Sequence, residues 1–182
     1  MKTIRSIAVA IAIASGLLVL LTPAARAEAS NVTASGFTIT HAMVVDSDPA
    51  KVWQAFTQLP HWWNSTHTWS GQASNLSLDA QAGGCWCERW GTSSAVHGRV
   101  LMAQPGSALR LQAWLGPLQA LPVAGVLTFG TAHRDGATRL RVTYRVAGLP
   151  EDGLDKLAGA VDAVLAEQVR RLKAFIETGK PD

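Results

Sequence analysis

The stretch that decides the fold is residues 138–178, TRLRVTYRVAGLPEDGLDKLAGAVDAVLAEQVRRLKAFIET. Apolar and polar side chains alternate from Thr138 to Val146, which predicts a strand with one buried and one solvated face. Apolar residues then recur every three or four positions from Leu154 to Ile176, which predicts a long amphipathic helix. A half-solvated strand leading into such a helix is typical of an antiparallel sheet that packs on a helix.

The same two-residue period recurs upstream between short turn signals. It predicts further strands at residues 76–78, 85–90, 98–103, 108–114 and 125–132. The pair Asp135-Gly136 predicts a tight hairpin turn into the last strand, because both residues tolerate positive φ. One connection, residues 116–122, is unusually apolar for a surface loop.

The chain before these strands predicts a first strand and two short helices. Residues 36–45 alternate in the manner of a half-buried strand. Asp48 and Pro49 then form a helix start, and Leu59-Pro60 separates a second short helix at residues 61–63. The element order predicts an α+β fold, in which a curved antiparallel sheet of about six to seven strands surrounds the long C-terminal helix. We expect a cavity between sheet and helix.

Residues 1–27 have the pattern of a secretory signal peptide. Lys2 and Arg5 precede an apolar run over residues 7–21, and small residues stand at Ala25 and Ala27. We expect cleavage after Ala27, periplasmic or secreted localisation, and no stable membrane anchor after cleavage. An uncleaved N-terminal anchor is the alternative. Residues 28–35 predict a flexible leader, and residues 36–178 a single domain.

Charge is balanced once the leader is set aside. The full chain carries 16 Lys+Arg and 13 Asp+Glu, a net charge of +3, and three of the basic residues precede residue 28. The rest of the chain has 13 residues of each sign. We therefore expect no nucleic-acid partner, since such binding needs a clustered positive field. The sequence leaves the oligomeric state open.

The two cysteines, Cys85 and Cys87, are two residues apart on a predicted strand. Their Cα atoms would be roughly 6.6 Å apart at the rise of a regular strand, near the upper limit that a disulfide can bridge. We expect two thiols or a strained, redox-labile pair, and not a structural disulfide.

The chain resembles the SRPBCC superfamily, the START-like or helix-grip proteins, in its polyketide cyclase/dehydrase and heat-shock-ATPase-activator-like branches. The residues that carry the resemblance are Asp48–Trp53, Trp62-Trp63, Gly83-Gly84, Gly136–Leu140 and the closing helix. The similarity covers nearly all of residues 36–177. It implies an internal cavity for a hydrophobic ligand and brings no catalytic set to this sequence.

Seven tryptophans in a chain of this size predict an aromatic pocket, although any one of them could be ordinary core. Together with other large or polar residues on the inward faces, they give the predicted ligand-binding set: Trp62, Trp63, Trp69, Trp86, Glu88, Trp90, Met102, Trp114, Phe129, Tyr144 and Gln168. Gln168 lies on the apolar stripe of the last helix, so its amide needs a loop backbone, a water or the ligand as partner.

Glu88 is the first candidate for acid/base chemistry, because it shares its strand face with Trp86 and Trp90. If that face points inward, apolar surroundings would raise the pKa of the carboxyl group. The alternative is an ion pair with an arginine of a neighbouring strand, Arg99 or Arg141. His67 and His97 are the other acid/base candidates.

Cys85 and Cys87 could also join His67 and His97 in a soft-metal site. A Cys-x-Cys pair on a rigid strand is poor ligand geometry, so we predict no metal and no cofactor.

The leading functional hypothesis is an exported carrier or sensor that binds a small hydrophobic or aromatic molecule beside the helix of residues 154–178. One alternative is a cyclase- or dehydratase-like enzyme that uses Glu88 or a histidine as acid or base. The other is a protein-interaction module.

Overall fold

The computed structural model describes residues 26–182, and the predicted apolar run of the signal peptide lies outside them. Eight antiparallel strands form one open, curved sheet. In chain order they are β1 (Arg26–Thr33), β2 (Gly36–Val45), β3 (Leu76–Leu78), β4 (Cys85–Trp90), β5 (Ser93–Gln104), β6 (Ala108–Ala113), β7 (Ala124–Arg134) and β8 (Ala137–Ala147). Their order across the sheet is β1-β2-β8-β7-β6-β5-β4-β3.

Three α-helices accompany the sheet: α1 (Pro49–Thr57), α2 (Leu59–Trp62) and α3 (Leu154–Thr178). Short 3-10 turns lie at Ser65–His67, Ala73–Asn75, Gly116–Ala120 and Pro150–Asp152. The side chain of Asp48 caps α1 by accepting from the Lys51 N–H at 2.8 Å, as the sequence predicts. Pro60 lies in the first turn of α2, so the Leu59-Pro60 pair begins the second helix and does not merely separate it from the first.

The predicted α+β architecture is confirmed at its central strand. Along β8 the apolar residues from Leu140 to Val146 are buried, and Arg139, Arg141 and Arg145 are exposed. Asp135 and Gly136 both have positive φ in the β7–β8 turn. The sheet therefore has one face toward the core and one toward solvent.

Helix α3 packs its apolar stripe against this core face and contacts β1 and β2. Its stripe of buried residues runs from Leu154 to Ile176. Gly179, with φ 78°, ends the helix in the left-handed conformation that glycine tolerates best. No helix within residues 26–182 combines the length and apolar composition that crossing a membrane requires.

The N-terminal edge of the sheet differs from the prediction. Residues 28–35 were expected to form a flexible leader, but most of them belong to β1, which pairs with β2 from Arg26↔Ala42 to Thr33↔Gly36. This pairing satisfies backbone groups of β2 that would otherwise remain open at a sheet edge. The sheet thus has eight strands where the sequence predicted about six to seven. The small, polar residues of β1 lack the alternation that reveals a strand.

Candidate functional site

A cavity of about 430 Å³ opens between the sheet and the first half of α3. A cavity between these elements is what the sequence predicts, but it occupies one end of the groove beside α3 and not its whole length. Loops that follow α2 and β6 complete its walls. The lining residues are Trp63, Thr66, His67, Thr68, Trp69, His97, Leu115, Gly116, Pro117, Leu157, Ala160, Val161, Val164 and Leu165.

The walls of the cavity are mostly apolar. Helix α3 supplies aliphatic side chains from Leu157 to Leu165, and the loops supply Trp63 and Trp69. The Trp69 side chain is 51% exposed at the mouth, whereas Trp63 is buried. An apolar cavity with an exposed aromatic residue at its mouth suits a ligand that is itself largely apolar.

His97 reaches this cavity through an irregularity in the sheet. The β4–β5 register changes from Trp86↔Gly98 to Cys87↔Val96, which leaves His97 as an extra residue on β5. Such a bulge re-aims a side chain. The imidazole is buried, lines the cavity, and lies with its centroid 5.6 Å from the Trp86 ring.

Glu88 lies behind His97 and is completely buried. Its Oε2 accepts from the Trp69 N–H at 3.0 Å and lies 2.8 Å from His97 Nε2. Its Oε1 accepts from the Ser70 N–H at 2.6 Å. A buried carboxylate with three donors of this kind is satisfied as an anion.

The ionisation of Glu88 corrects the sequence prediction. Burial raises the pKa of its carboxyl group. The hydrogen bonds from Ser70, Trp69 and His97 together lower this pKa by more than burial raises it, so the pKa lies below its usual value. The predicted raised pKa is therefore wrong, although the condition attached to it holds, because Trp86 and Glu88 are buried. Glu88 pairs with His97 and not with an arginine, because Arg99 and Arg141 lie on the exposed face of the sheet.

A second histidine–carboxylate pair stands at the rim. His67 Nε2 lies 3.0 Å from Glu167 Oε2, and both side chains are about 30% exposed. The Asn64 amide donates to the other oxygen of Glu167. This hydrogen bond lowers the pKa of Glu167. Burial acts in the opposite direction, whereas His67 and Arg171 also lower the pKa.

Three tryptophans form a layer beneath the cavity. The Trp63 and Trp86 rings meet edge to face at 4.9 Å, and Trp62 contacts Trp63 in the same manner at 5.5 Å. The Trp63 indole N–H donates to the His67 carbonyl at 3.0 Å, so this layer also holds the rim loop. Of the tryptophans in the predicted ligand-binding set, Trp62, Trp63 and Trp86 form this layer, whereas Trp90 and Trp114 make no ring contact with it.

Some of the predicted ligand-binding residues line the cavity or lie next to it, and others do not. Trp63 and Trp69 line the cavity, and Trp86 and Glu88 stand directly behind His97. The remaining members do not line it: Trp62, Phe129 and Tyr144 are core residues, while Trp90, Met102 and Trp114 are half-buried on their strands.

Polar groups of these remaining residues have internal partners. The Tyr144 hydroxyl donates to the Ala113 carbonyl at 3.0 Å, and the Trp114 indole N–H donates to the Val123 carbonyl at 3.0 Å. Gln168 is buried, and its Oε1 accepts from the Asn64 N–H at 2.8 Å. A loop backbone is one of the partners that the sequence analysis named for this amide.

The cysteines form a disulfide between Cys85 and Cys87, so of the two alternatives that the sequence left open, a pair of thiols is wrong. Their Cα atoms are 5.4 Å apart, closer than in a regular strand, and the β4–β5 register shifts beside Cys87. The pair alternates with Trp86 and Glu88 and so lies on the other face of β4. The hypothetical soft-metal set is therefore not assembled, and no cluster of three metal-ligating side chains occurs within residues 26–182.

Sequence reasoning missed the aliphatic wall that α3 contributes to the cavity. Leu157, Val161 and Val164 read as ordinary members of the apolar stripe, and nothing in their spacing marks them as cavity-facing. The sequence did contain a signal for the opposite wall, the apolar connection at residues 116–122. Gly116 and Pro117 begin this connection, and Leu115 immediately precedes it.

An open, curved antiparallel sheet that packs on a long C-terminal helix defines a helix-grip fold, and solved structures share this fold. EF2215 from Enterococcus faecalis, a conserved protein of unknown function, is similar with a TM-score of 0.57 at 12% identity over 86% of this chain and 78% of that chain. CalU16 from Micromonospora echinospora is similar with a TM-score of 0.57 at 16% identity over 87% of each chain.

DynU16, a protein in the dynemicin biosynthetic locus, has a TM-score of 0.56 at 18% identity, over 79% of this chain and 48% of that chain. Neither a protein-family model nor a curated protein matches the sequence. At these identities the likeness to the solved structures shows the fold alone.

Proposed function

We propose that this protein binds a small, largely apolar molecule in the cavity beside α3. The observation that carries the proposal is the cavity itself, whose volume of about 430 Å³ falls in the roughly 300–1,000 Å³ range of small-molecule sites. Its walls are mostly aliphatic and aromatic, and its few polar side chains belong to two threonines and two histidines, Thr66, Thr68, His67 and His97. This combination is the usual composition of a ligand pocket.

The lining favours an aromatic ligand. Trp63 and Trp69 both line the cavity, and the Trp69 side chain is half exposed. Aromatic pairs gain about 0.5–1.5 kcal/mol beyond the burial of their area. A ligand with a planar ring system would gain this extra free energy from both indoles, whereas a ligand with a flexible chain would gain only the free energy of apolar burial.

We further propose that the protein acts outside the cytoplasm, as the pattern of residues 1–27 predicts. The cavity then belongs to a carrier or sensor of the periplasm or the medium. Affinity in this role would come mainly from apolar burial, at about 25 cal/mol per Å².

Two matched substitutions on α3 test the binding site. Both alanines are exposed on the same helix, but Ala160 lines the cavity and Ala163 does not. The Ala160→Trp variant should weaken binding of an aromatic probe such as naphthalene by about tenfold or more, because the indole occupies part of the cavity. The Ala163→Trp variant should bind as the wild type does.

Binding is measured by isothermal titration calorimetry, and solvent extracts of the purified protein are analysed by mass spectrometry for a co-purified molecule. An empty protein that binds no member of a panel of aromatic and lipid probes would overturn the proposal. Equal weakening in both variants would place the site elsewhere.

A further inference from the structure

We propose that His97, held by Glu88, is a hydrogen-bond acceptor that selects ligands with an aromatic or enolic hydroxyl group. This inference rests on the proposed binding function and adds the chemical class of the ligand. Its basis is the contact of His97 Nε2 with Glu88 Oε2 at 2.8 Å, at a ring that lines the cavity.

The Glu88 carboxylate decides which nitrogen of His97 carries the proton. An ionised carboxylate only accepts hydrogen bonds, so His97 donates to it from Nε2. In the tautomer that carries its single proton on Nε2, Nδ1 has no proton and can only accept. Among residues 26–182, no protein group hydrogen-bonds to Nδ1. The cavity therefore contains an acceptor for which a ligand can supply the donor.

The surroundings of Glu88 hold this arrangement in one geometry. The carboxylate is completely buried, and its other two donors are the consecutive N–H groups of Trp69 and Ser70. Trp69 is itself a wall of the cavity. One buried anion thus fixes both the imidazole on β5 and the loop that faces it, which makes Glu88 a positioning residue.

The rim pair does not provide the same selection. His67 and Glu167 are each about 30% exposed, so water can satisfy the free nitrogen of His67 when the ligand does not. At His97 the ring is buried, and a ligand without a donor leaves the acceptor unsatisfied. Discrimination between hydroxylated and plain rings should therefore come from His97.

The test compares 2-naphthol with naphthalene by isothermal titration calorimetry at neutral pH. We expect wild-type protein to prefer 2-naphthol by about tenfold or more, the equivalent of one buried hydrogen bond. His97→Phe should retain naphthalene binding and lose the preference. Glu88→Gln, which cannot accept from all three donors, should reduce the preference several-fold. His133→Phe, a substitution at the distant β7–β8 hairpin, should leave the preference unchanged.

Nitrogen-15 NMR of the wild-type imidazole is a second readout that needs no variant, and it should show the Nε2–H tautomer for His97. A ring protonated at Nδ1 overturns the inference, as does equal affinity for both probes in the wild type. Equal affinity would leave the apolar binding site intact, whereas failure of both probes to bind overturns the binding function as well.

Discussion

Glu88 illustrates how local donors, and not burial alone, set the charge of a side chain. The residue is completely buried, which by itself favours the neutral acid. Two backbone N–H groups and an imidazole nevertheless converge on its oxygens. Because three donors satisfy the anion, the carboxylate serves to orient His97 and is unsuited to act as a proton donor at neutral pH.

The lowered pKa of Glu88 predicts an acid-sensitive contribution to stability. A carboxyl group whose pKa is lower in the folded chain stabilises it above the unfolded pKa, and this stabilisation is lost as pH falls through the folded pKa. At pH 7, Glu88→Gln should lower the free energy of unfolding by about 1.5–3 kcal/mol, the usual worth of hydrogen bonds to a charged group.

Urea unfolding from pH 7 to pH 3 checks this. The difference in the free energy of unfolding between wild type and Glu88→Gln should become smaller when the pH falls below 4.5, the ordinary pKa of glutamate. The exposed residue Glu151 provides the control, and Glu151→Gln should track the wild type at every pH. A difference for Glu88→Gln that stays constant across the range would contradict the charge assigned to this residue.

Sequence reasoning put Glu88 on the same face as Trp86 but assigned the wrong electrostatics. Alternation along the strand predicted that the two residues share a face and left open whether that face points inward. The donors that lower the pKa belong to a loop 18 and 19 residues earlier and to a histidine on the next strand. No local pattern shows that these groups converge on one carboxylate.

The paired strands β4 and β5 carry the chemistry of the site because they are irregular. The predicted strand at residues 98–103 omits the first half of β5, which begins at Ser93. His97 lies in the omitted part, at the register shift that adds one residue opposite β4. A bulge interrupts the period of two, so the alternation on which strand prediction depends fails at the functional position.

The disulfide on β4 belongs to the same irregular pair but to its other face. A bridge between residues 85 and 87 closes a very short loop, so on the chain-entropy model it adds only about 1.5 kcal/mol. The Cys85→Ser/Cys87→Ser double variant should therefore lose at most about that amount in urea unfolding. It should keep the wild-type affinity for naphthalene, because the cavity lies on the opposite face.

Wild-type protein treated with a reductant is the matched control and should behave as the double variant does. A loss of ligand affinity after either change would mean that the disulfide supports the β4–β5 bulge. In that case the two faces of the strand pair would be coupled, and His97 would depend on the oxidised cysteines for its position.

For the molecule as a whole, element order could be predicted and interior shape could not. The long helix, the two short helices and seven of the eight strands follow from periodicity, caps and turn residues, with β2, β3, β4 and α3 at the predicted bounds. The cavity depends on where side chains fail to fill space between α3, β5 and two loops. That property arises from packing in three dimensions, so it is invisible in the spacing of Leu157 or Val161.

The proposed processing of the chain also concerns the molecule as a whole, because the predicted cleavage site falls inside β1. Cleavage after Ala27 would remove two residues that pair with β2, at Arg26↔Ala42 and Ala27↔His41. The pairs from Glu28↔Thr40 onward would remain, so the processed chain keeps a shortened β1. We therefore expect cells that express the full chain to yield, in the extracytoplasmic fraction, a protein whose N-terminal sequence begins at Glu28. Ala27→Asp should block this processing, since the peptidase requires a small residue there. If wild-type cells instead contain the protein in the membrane fraction with Met1 intact, the N-terminal segment is an uncleaved anchor.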